Sequence, residues 1–382
     1  MKRKHPGRRL AWLAMACLAC AAVGARAPAT QPATAPHAAT TVSRPLLGEV
    51  VEVHVHGTAL EGNRLGDSPD RTVTVYLPPG YRHERSRRYP VIYALGGYQP
   101  SPALAARIGP HPEGYLFAGV DRAIAEGRLG KVILVNVEGW NRLGGSFWVN
   151  SASTGRWEDF VTHDVIDTID ARLRTLPRRD SRGLYGGSMG GFGALSIAMH
   201  RPELFGTVFA QSPCCMAMVD ELGPTAAWVP LQRVTLAQAD AAFRQGDAGA
   251  LEALALAAAF APDARRPEVF GDLPYRVEGQ RVVAAQPAYV RWQARLPGNR
   301  LDREAAGLKT LHGLRIQYGD HDELRHIVDS VPAFHRALLA HGVKHEFLAD
   351  HGGHMDLGRF ERDALPFFAR TLAGAAGGEA SP

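Results

Sequence analysis

An α/β fold, a mainly parallel twisted sheet with helices on both faces, is what this sequence predicts, on three observations. Strand-like runs alternate with helical patterns along the later part of the chain, the pattern that βαβ crossovers produce. A G-x-S-x-G element (Gly186, Ser188, Gly190) stands between a short apolar run and a stretch of small, helix-compatible residues. Two further strand-like runs each lead into a loop carrying carboxylate or histidine side chains.

The strand-like runs fall at residues 51–55, 72–77, 91–95, 132–137, 183–185, 207–211, 314–318 and 346–349. A helix is predicted over 158–176, because Val161, Val165, Ile169 and Leu173 recur every four residues and Pro177 stops it. Another is predicted from Ser330, with Pro332 in its first turn, through Phe334 and Leu338 to Gly342. The stretch 216–289 interrupts the alternation with Ala-rich helical sequence, notably 251–260, and is expected to be an insertion or lid beside the pocket. The domain is expected to span 46–373, after an Ala/Pro/Thr-rich leader at 26–45 and before a flexible tail at 374–382.

The two glycines of the central element have a steric reason. A serine at the tip of a sharp strand-to-helix turn adopts a strained backbone, and side chains two residues to either side would collide. Ser188 then presents its hydroxyl at the sheet edge, and the Met189 N–H, at the start of the helix, points where an oxyanion would form. An unaided serine hydroxyl is a poor nucleophile near neutral pH. It needs an imidazole to take its proton and a buried carboxylate to fix the imidazole tautomer. The run at 314–318 leads into Gly319-Asp320-His321-Asp322-Glu323, which supplies the carboxylate. The run at 346–349 leads into Asp350-His351-Gly352-Gly353-His354, where the strand-end position favours His354 as the base. The order nucleophile, acid, histidine is the one this kind of fold requires. Asp350, His351 and His354 also raise a metal reading, but no H-E-x-x-H or paired C-x-x-C spacing accompanies them, so neither a metal nor a cofactor is expected.

The first 25 residues join a basic start (Lys2, Arg3, Lys4, Arg8, Arg9) to the apolar stretch 10–23 and a small-residue end, which reads as a secretory signal peptide. The apolar stretch is shorter than the roughly 20 residues a membrane span needs. Cys17 and Cys20 lack a convincing lipidation box, so a lipoprotein is the less favoured reading and a secreted or periplasmic address is expected. The five basic residues of this segment equal the whole formal charge of +5, so the mature chain is near neutral and nucleic acid is not an expected partner. Beyond the signal only the adjacent Cys214 and Cys215 remain, and neighbouring Cα atoms about 3.8 Å apart fall below the usual disulfide range, so free buried thiols are expected.

Several further segments carry a family likeness from about residue 48 to 368: Val75-Tyr76-Leu77-Pro78-Pro79-Gly80-Tyr81, Tyr89-Pro90-Val91-Ile92-Tyr93-Ala94-Leu95-Gly96-Gly97, Gly144-Gly145-Ser146-Phe147-Trp148, Trp157-Glu158-Asp159-Phe160, the segment around Ser188, and Gly352-Gly353-His354. With these the chain resembles the esterase D-like, or putative esterase, family of α/β-hydrolases. That family includes feruloyl and acetyl-xylan esterases, S-formylglutathione hydrolases, siderophore esterases and mycolyltransferases. The resemblance implies an α/β-hydrolase fold, Ser188 as nucleophile, His354 as base, and the second aspartate of Gly319-x-x-Asp322 as acid. It also implies oxyanion donors at the Met189 N–H and at Tyr98 (or Gly97), although the strand here ends Leu95-Gly96-Gly97 where many members read His-Gly. Trp140, Trp148 and Asn150 stand on loops expected to face the pocket and are candidates to contact a carbohydrate or aryl ester. The expected activity is a serine carboxylic-ester hydrolase acting through an acyl-enzyme. Acyl transfer of the mycolyltransferase type and a non-catalytic binding protein on the same scaffold are the alternatives.

Overall fold

The computed structural model describes residues 45–100 and 114–376. The signal segment, Cys17, Cys20 and nearly all of the leader lie outside the described residues, as does the end of the tail. The central sheet has eight strands: β1 (Glu49–His56), β2 (Asp70–Leu77), β3 (Val91–Leu95), β4 (Ile133–Val137), β5 (Arg182–Gly187), β6 (Thr207–Gln211), β7 (Gly313–Gly319) and β8 (Glu346–Asp350). Their spatial order is β1-β2-β4-β3-β5-β6-β7-β8. β2 runs antiparallel to both its neighbours, and every pair from β4 to β8 is parallel. Each of the eight predicted runs therefore lies in a strand of one mixed, mostly parallel sheet.

The period-two alternation of strand side chains builds two cores. Tyr93, Leu95, Val135, Leu184, Val208 and Ile316 point to one face, under the helical segments at Trp157–Arg172 and Met189–His200 and the helix that follows β7. Ile92, Ala94, Leu134, Tyr185 and Phe209 point to the other, under α1 (Gly114–Ala125) and the C-terminal helix Leu365–Thr371. Because β3 and β5 are neighbours while the chain leaves them toward opposite edges, a crevice opens at their carboxyl ends.

Two helices depart from their predicted bounds. α2 is built from Trp157–Asp159, a π turn at Phe160–Val165 and Ile166–Arg172, and it ends before Pro177 takes effect. Residues beyond Arg172 turn extended, since Tyr89 N–H donates to Arg174 O and Leu176 N–H to Tyr89 O, a strand-like pairing that local propensity does not reveal. The helix predicted from Ser330 begins five residues earlier, at Arg325, and runs to Ala340, so Pro332 lies in its interior. A distant side chain starts it: the Glu221 carboxylate accepts the N–H groups of Arg325 and His326 at 2.9 and 2.8 Å. α3 (Met189–His200) follows β5 directly and is buried along almost its whole length.

Within 216–289 the chain forms a short helix Trp228–Leu231, then α4 (Leu236–Arg244) and α5 (Gly249–Phe260), and a hairpin of Tyr275–Glu278 with Arg281–Ala284 that the Ala-rich pattern gave no sign of. α6 (Ala288–Gln293) and α7 (Leu301–Leu308) lead back to β7, and Arg325–Ala340 is α8. Packing continues into the predicted tail, because Ala375 is buried and its carbonyl accepts the Gly130 N–H.

Candidate active site

Ser188 sits between the last residue of β5 and the first of α3 with φ 55° and ψ −119°. That is a left-handed strain an L-residue adopts only when its surroundings impose it. Here the Ser188 N–H donates to Gln211 O at 2.9 Å, and its carbonyl accepts from Phe192 and Cys214 at 3.0 and 3.3 Å. The steric argument for the glycines holds in detail. A Cβ on Gly186 would come 2.1 Å from Gly190 O, and one on Gly190 would come 2.1 Å from Leu95 O.

The loop after β3 lies against this turn. Its Gly96 N–H is engaged by Val137 O and its Gln99 N–H by Gly144 O, both at 2.9 Å. The N–H groups of Gly97 and Tyr98 make no hydrogen bond among the described residues, and Met189, as first residue of α3, has an N–H with no partner within its helix. Among the described residues the backbone thus presents unpartnered N–H groups at Gly97 and Tyr98 beside the N-terminus of the helix that begins at Met189.

Of the carboxylates after β7, only Asp322 is fully buried. Its Oδ2 stands 2.8 Å from His354 Nδ1, and its Oδ1 accepts the Leu324 N–H at 2.9 Å. With Asp322 ionised, the proton on that contact resides on Nδ1, so Nε2 of a neutral His354 is the free base. Asp320 instead pairs at 2.9 Å with His351, whose side chain is 88% exposed. Among the described residues no group of three or more His, Cys, Asp or Glu side chains is arranged to hold a metal ion.

Three residues that the sequence reading left without a role hold this arrangement. Glu323 accepts the His354 backbone N–H at 2.9 Å. Arg359, with no exposed surface, spans from Asp350 at the end of β8 to Gly353 O, and so pins both sides of the His354 loop. Glu221 reaches from the insertion to the start of α8, three residues past Asp322. Burial alone would raise the Glu221 carboxyl, but the hydrogen bond from His326 and backbone donors hold it down at about 2. Proximity to the motif gives a signal for Glu323, whereas nothing local points to Arg359 or Glu221.

The three candidate contact residues are engaged within the protein. Trp148 is fully buried with φ 54°, its indole N–H donating to Gly96 O at 3.2 Å. Trp140 donates to Gly97 O at 3.1 Å. Both therefore brace the loop after β3. The Asn150 side chain is spent on Asp159, through Nδ2 at 2.9 Å and Oδ1 at 3.1 Å. Cys214 and Cys215 are buried free thiols directly behind Ser188, and burial pushes the Cys214 thiol up from its ordinary range.

A family model described as "Putative esterase" matches residues 64–259, just over half of the chain. An endo-1,4-beta-xylanase/feruloyl esterase of Xylanibacter ruminicola is 28% identical over 144 residues, which are 36% of this chain and 18% of that protein. The chain therefore spans less than a fifth of that relative. A ferulic acid esterase structure superposes with TM-score 0.55 at 20% identity, covering 86% of this chain and 99% of the other. An S-formylglutathione hydrolase from Agrobacterium tumefaciens superposes with TM-score 0.51 at 16% identity, over 86% and 97%. At such identities the two structures establish a shared α/β-hydrolase fold.

Proposed function

The chain belongs to the putative esterase family, and from that membership we propose that it is a secreted serine carboxylic-ester hydrolase with Ser188, His354 and Asp322 as its triad. The observation that carries the reading is the fully buried Asp322 carboxylate held 2.8 Å from His354 Nδ1, after a strand whose carboxyl end lies on the same side of the sheet as the strained Ser188.

In the proposed reaction His354 Nε2 takes the Ser188 proton while Oγ attacks the ester carbonyl carbon. The carbonyl oxygen becomes an oxyanion held by the N–H groups of Met189 and Tyr98 (or Gly97). Collapse breaks the bond to the alkoxy oxygen, which leaves as an alcohol with the proton from Nε2. Water, deprotonated by the same nitrogen, then releases the acid and restores the serine. Glu323 and Arg359 are positioning residues for the His354 loop. The relatives named for feruloyl ester cleavage favour aryl or carbohydrate esters as the substrate class. The secreted address rests on the first 25 residues, and among the described residues no helix is long and apolar enough to cross a membrane.

The deciding experiment is a hydrolysis panel of short-acyl, long-acyl, feruloyl and siderophore esters. It is run on the wild type and on Ser188→Ala, beside N-terminal sequencing of the exported protein. Turnover abolished in the variant and a mature start near Arg26 are expected. Undiminished turnover in Ser188→Ala overturns the triad, and an intact Met1 overturns the address.

A further inference from the structure

Near Ser188 and Asp322 lies a small pocket whose walls include Leu222, Trp228, Leu256 and Leu324. It is tied to the proposed triad through two of its lining residues. Its lining Cys215 follows Cys214, whose N–H donates to Ser188 O, and its lining Leu324 donates its own N–H to Asp322. Two polar side chains face this apolar surface, Glu252 from α5 of the insertion and His326 from the first turn of α8.

Among the described residues neither side chain is fully satisfied. The His326 side chain is 6% exposed, its Nδ1 is 3.2 Å from Glu221 Oε2, and its Nε2 is buried with no hydrogen-bond partner. Since Glu221 is held as a carboxylate and can only accept, Nδ1 carries the hydrogen of that contact, which leaves Nε2 of this pocket-lining ring as the position without a partner. The Glu252 side chain makes no hydrogen bond among the described residues, and burial pushes its carboxyl up from its ordinary range. A buried polar group left unpaired costs about 1–3 kcal/mol, so a purely apolar occupant would be penalised at both groups. A hydroxyl, which both donates and accepts, can answer both.

We propose that Glu252 and His326 form a hydroxyl-reading subsite, which selects esters carrying an alcohol or phenol hydroxyl on the part that lies against α5. The proposal rests on the esterase reading above and deepens it by naming the substrate chemistry that this chain's insertion selects.

The test compares kcat/KM within matched esters. For the acyl half these are 4-nitrophenyl butyrate against 4-nitrophenyl 3-hydroxybutyrate, and methyl 3-phenylpropanoate against methyl 3-(4-hydroxyphenyl)propanoate. For the alcohol half the pair is ethyl against 2-hydroxyethyl butyrate. The hydroxylated member should be favoured about tenfold or more in one half, which assigns the half that the subsite reads. In Glu252→Leu the ratio should fall to near one, while Glu252→Gln, which keeps a donor and an acceptor, should retain most of it. His326→Gln should lower the ratio without abolishing turnover. A ratio near one in all wild-type pairs, or an unchanged ratio in Glu252→Leu, overturns the subsite.

Calorimetric binding of the same esters to Ser188→Ala separates the two claims. Hydrolysis without any hydroxyl preference overturns the subsite alone. Hydroxyl-dependent binding without hydrolysis of any ester overturns the esterase reading alone, and absence of both overturns the two together.

Discussion

Exchanging Asp322 for asparagine swaps one carboxylate oxygen for an NH2 group in a place where the neighbours dictate which way the amide turns. The Leu324 N–H requires an acceptor at 2.9 Å, so the amide oxygen stays on that side and the NH2 faces His354 Nδ1. An NH2 group donates, so Nδ1 must become the acceptor and the ring hydrogen moves to Nε2, where it can no longer take a proton from Ser188. The side chain is buried and isosteric with the original, so the fold should survive, and a thermal melt would verify that. The loss in kcat should reach about four orders of magnitude, or roughly 5.5 kcal/mol, which is the scale of a tautomer reversal in such a triad. Asp320→Asn is the matched control, since its partner His351 is exposed and apart from the reacting groups, and less than about threefold should be lost. Both variants would be assayed on one activated ester across pH. A larger loss from Asp320→Asn, or an Asp322→Asn loss within tenfold, would refute the assignment and the reasoning from amide orientation together.

Other consequences are as open to measurement. Ser188→Ala should lower kcat by about three to six orders of magnitude with the fold intact, and mass spectrometry after a serine-directed phosphonate should find one labelled site, at Ser188. Trp148→Phe keeps the ring in its buried seat but removes the N–H from Gly96 O, so kcat should fall about tenfold with KM little changed, as read by steady-state kinetics. Arg359→Met breaks a buried ion pair and should cost about 3–5 kcal/mol in denaturant unfolding at neutral pH. Burial alone would raise the Asp350 carboxyl, but hydrogen bonds from Arg359, Gln317 and the Gly352 N–H outweigh it and hold the group below its ordinary 3.8. A depressed folded-state value means that this stabilisation is full above about pH 4 and drains as pH falls below it, so wild type and Arg359→Met should converge in acid. A chelator should leave ester hydrolysis unchanged, and loss restored by a divalent ion would reopen the metal reading at His351 and His354.

Strands were legible because burial on both faces writes itself into short apolar runs, as at Val91–Leu95 and Thr207–Gln211. The turn around Ser188 was legible because its steric demand is local: Gly186 and Gly190 are required by atoms within a few residues of the strain or in the adjoining strand end. Helix ends were less so. Pro332 reads as a first-turn residue, yet the carboxylate that lets α8 start at Arg325 sits 104 residues away in sequence. The same holds for Arg359 and for Glu252 and His326, whose significance comes from what folding brings against them. Trp148 was visible as an aromatic on a loop, but only its burial distinguishes a brace from a ligand contact.

The Glu221 contact with α8 has a consequence for exchanging specificity between relatives. The insertion that walls the pocket is also fastened, through the Glu221 carboxylate, to the helix that begins three residues after Asp322. A foreign segment grafted in place of 216–289 would therefore bring new pocket walls and at the same time unclamp the acid's loop, unless it carried an acceptor to the same place. Chimaeras that keep a carboxylate at position 221 should retain turnover on an unselective ester, and those that lose it should be slow on every ester whatever pocket they import.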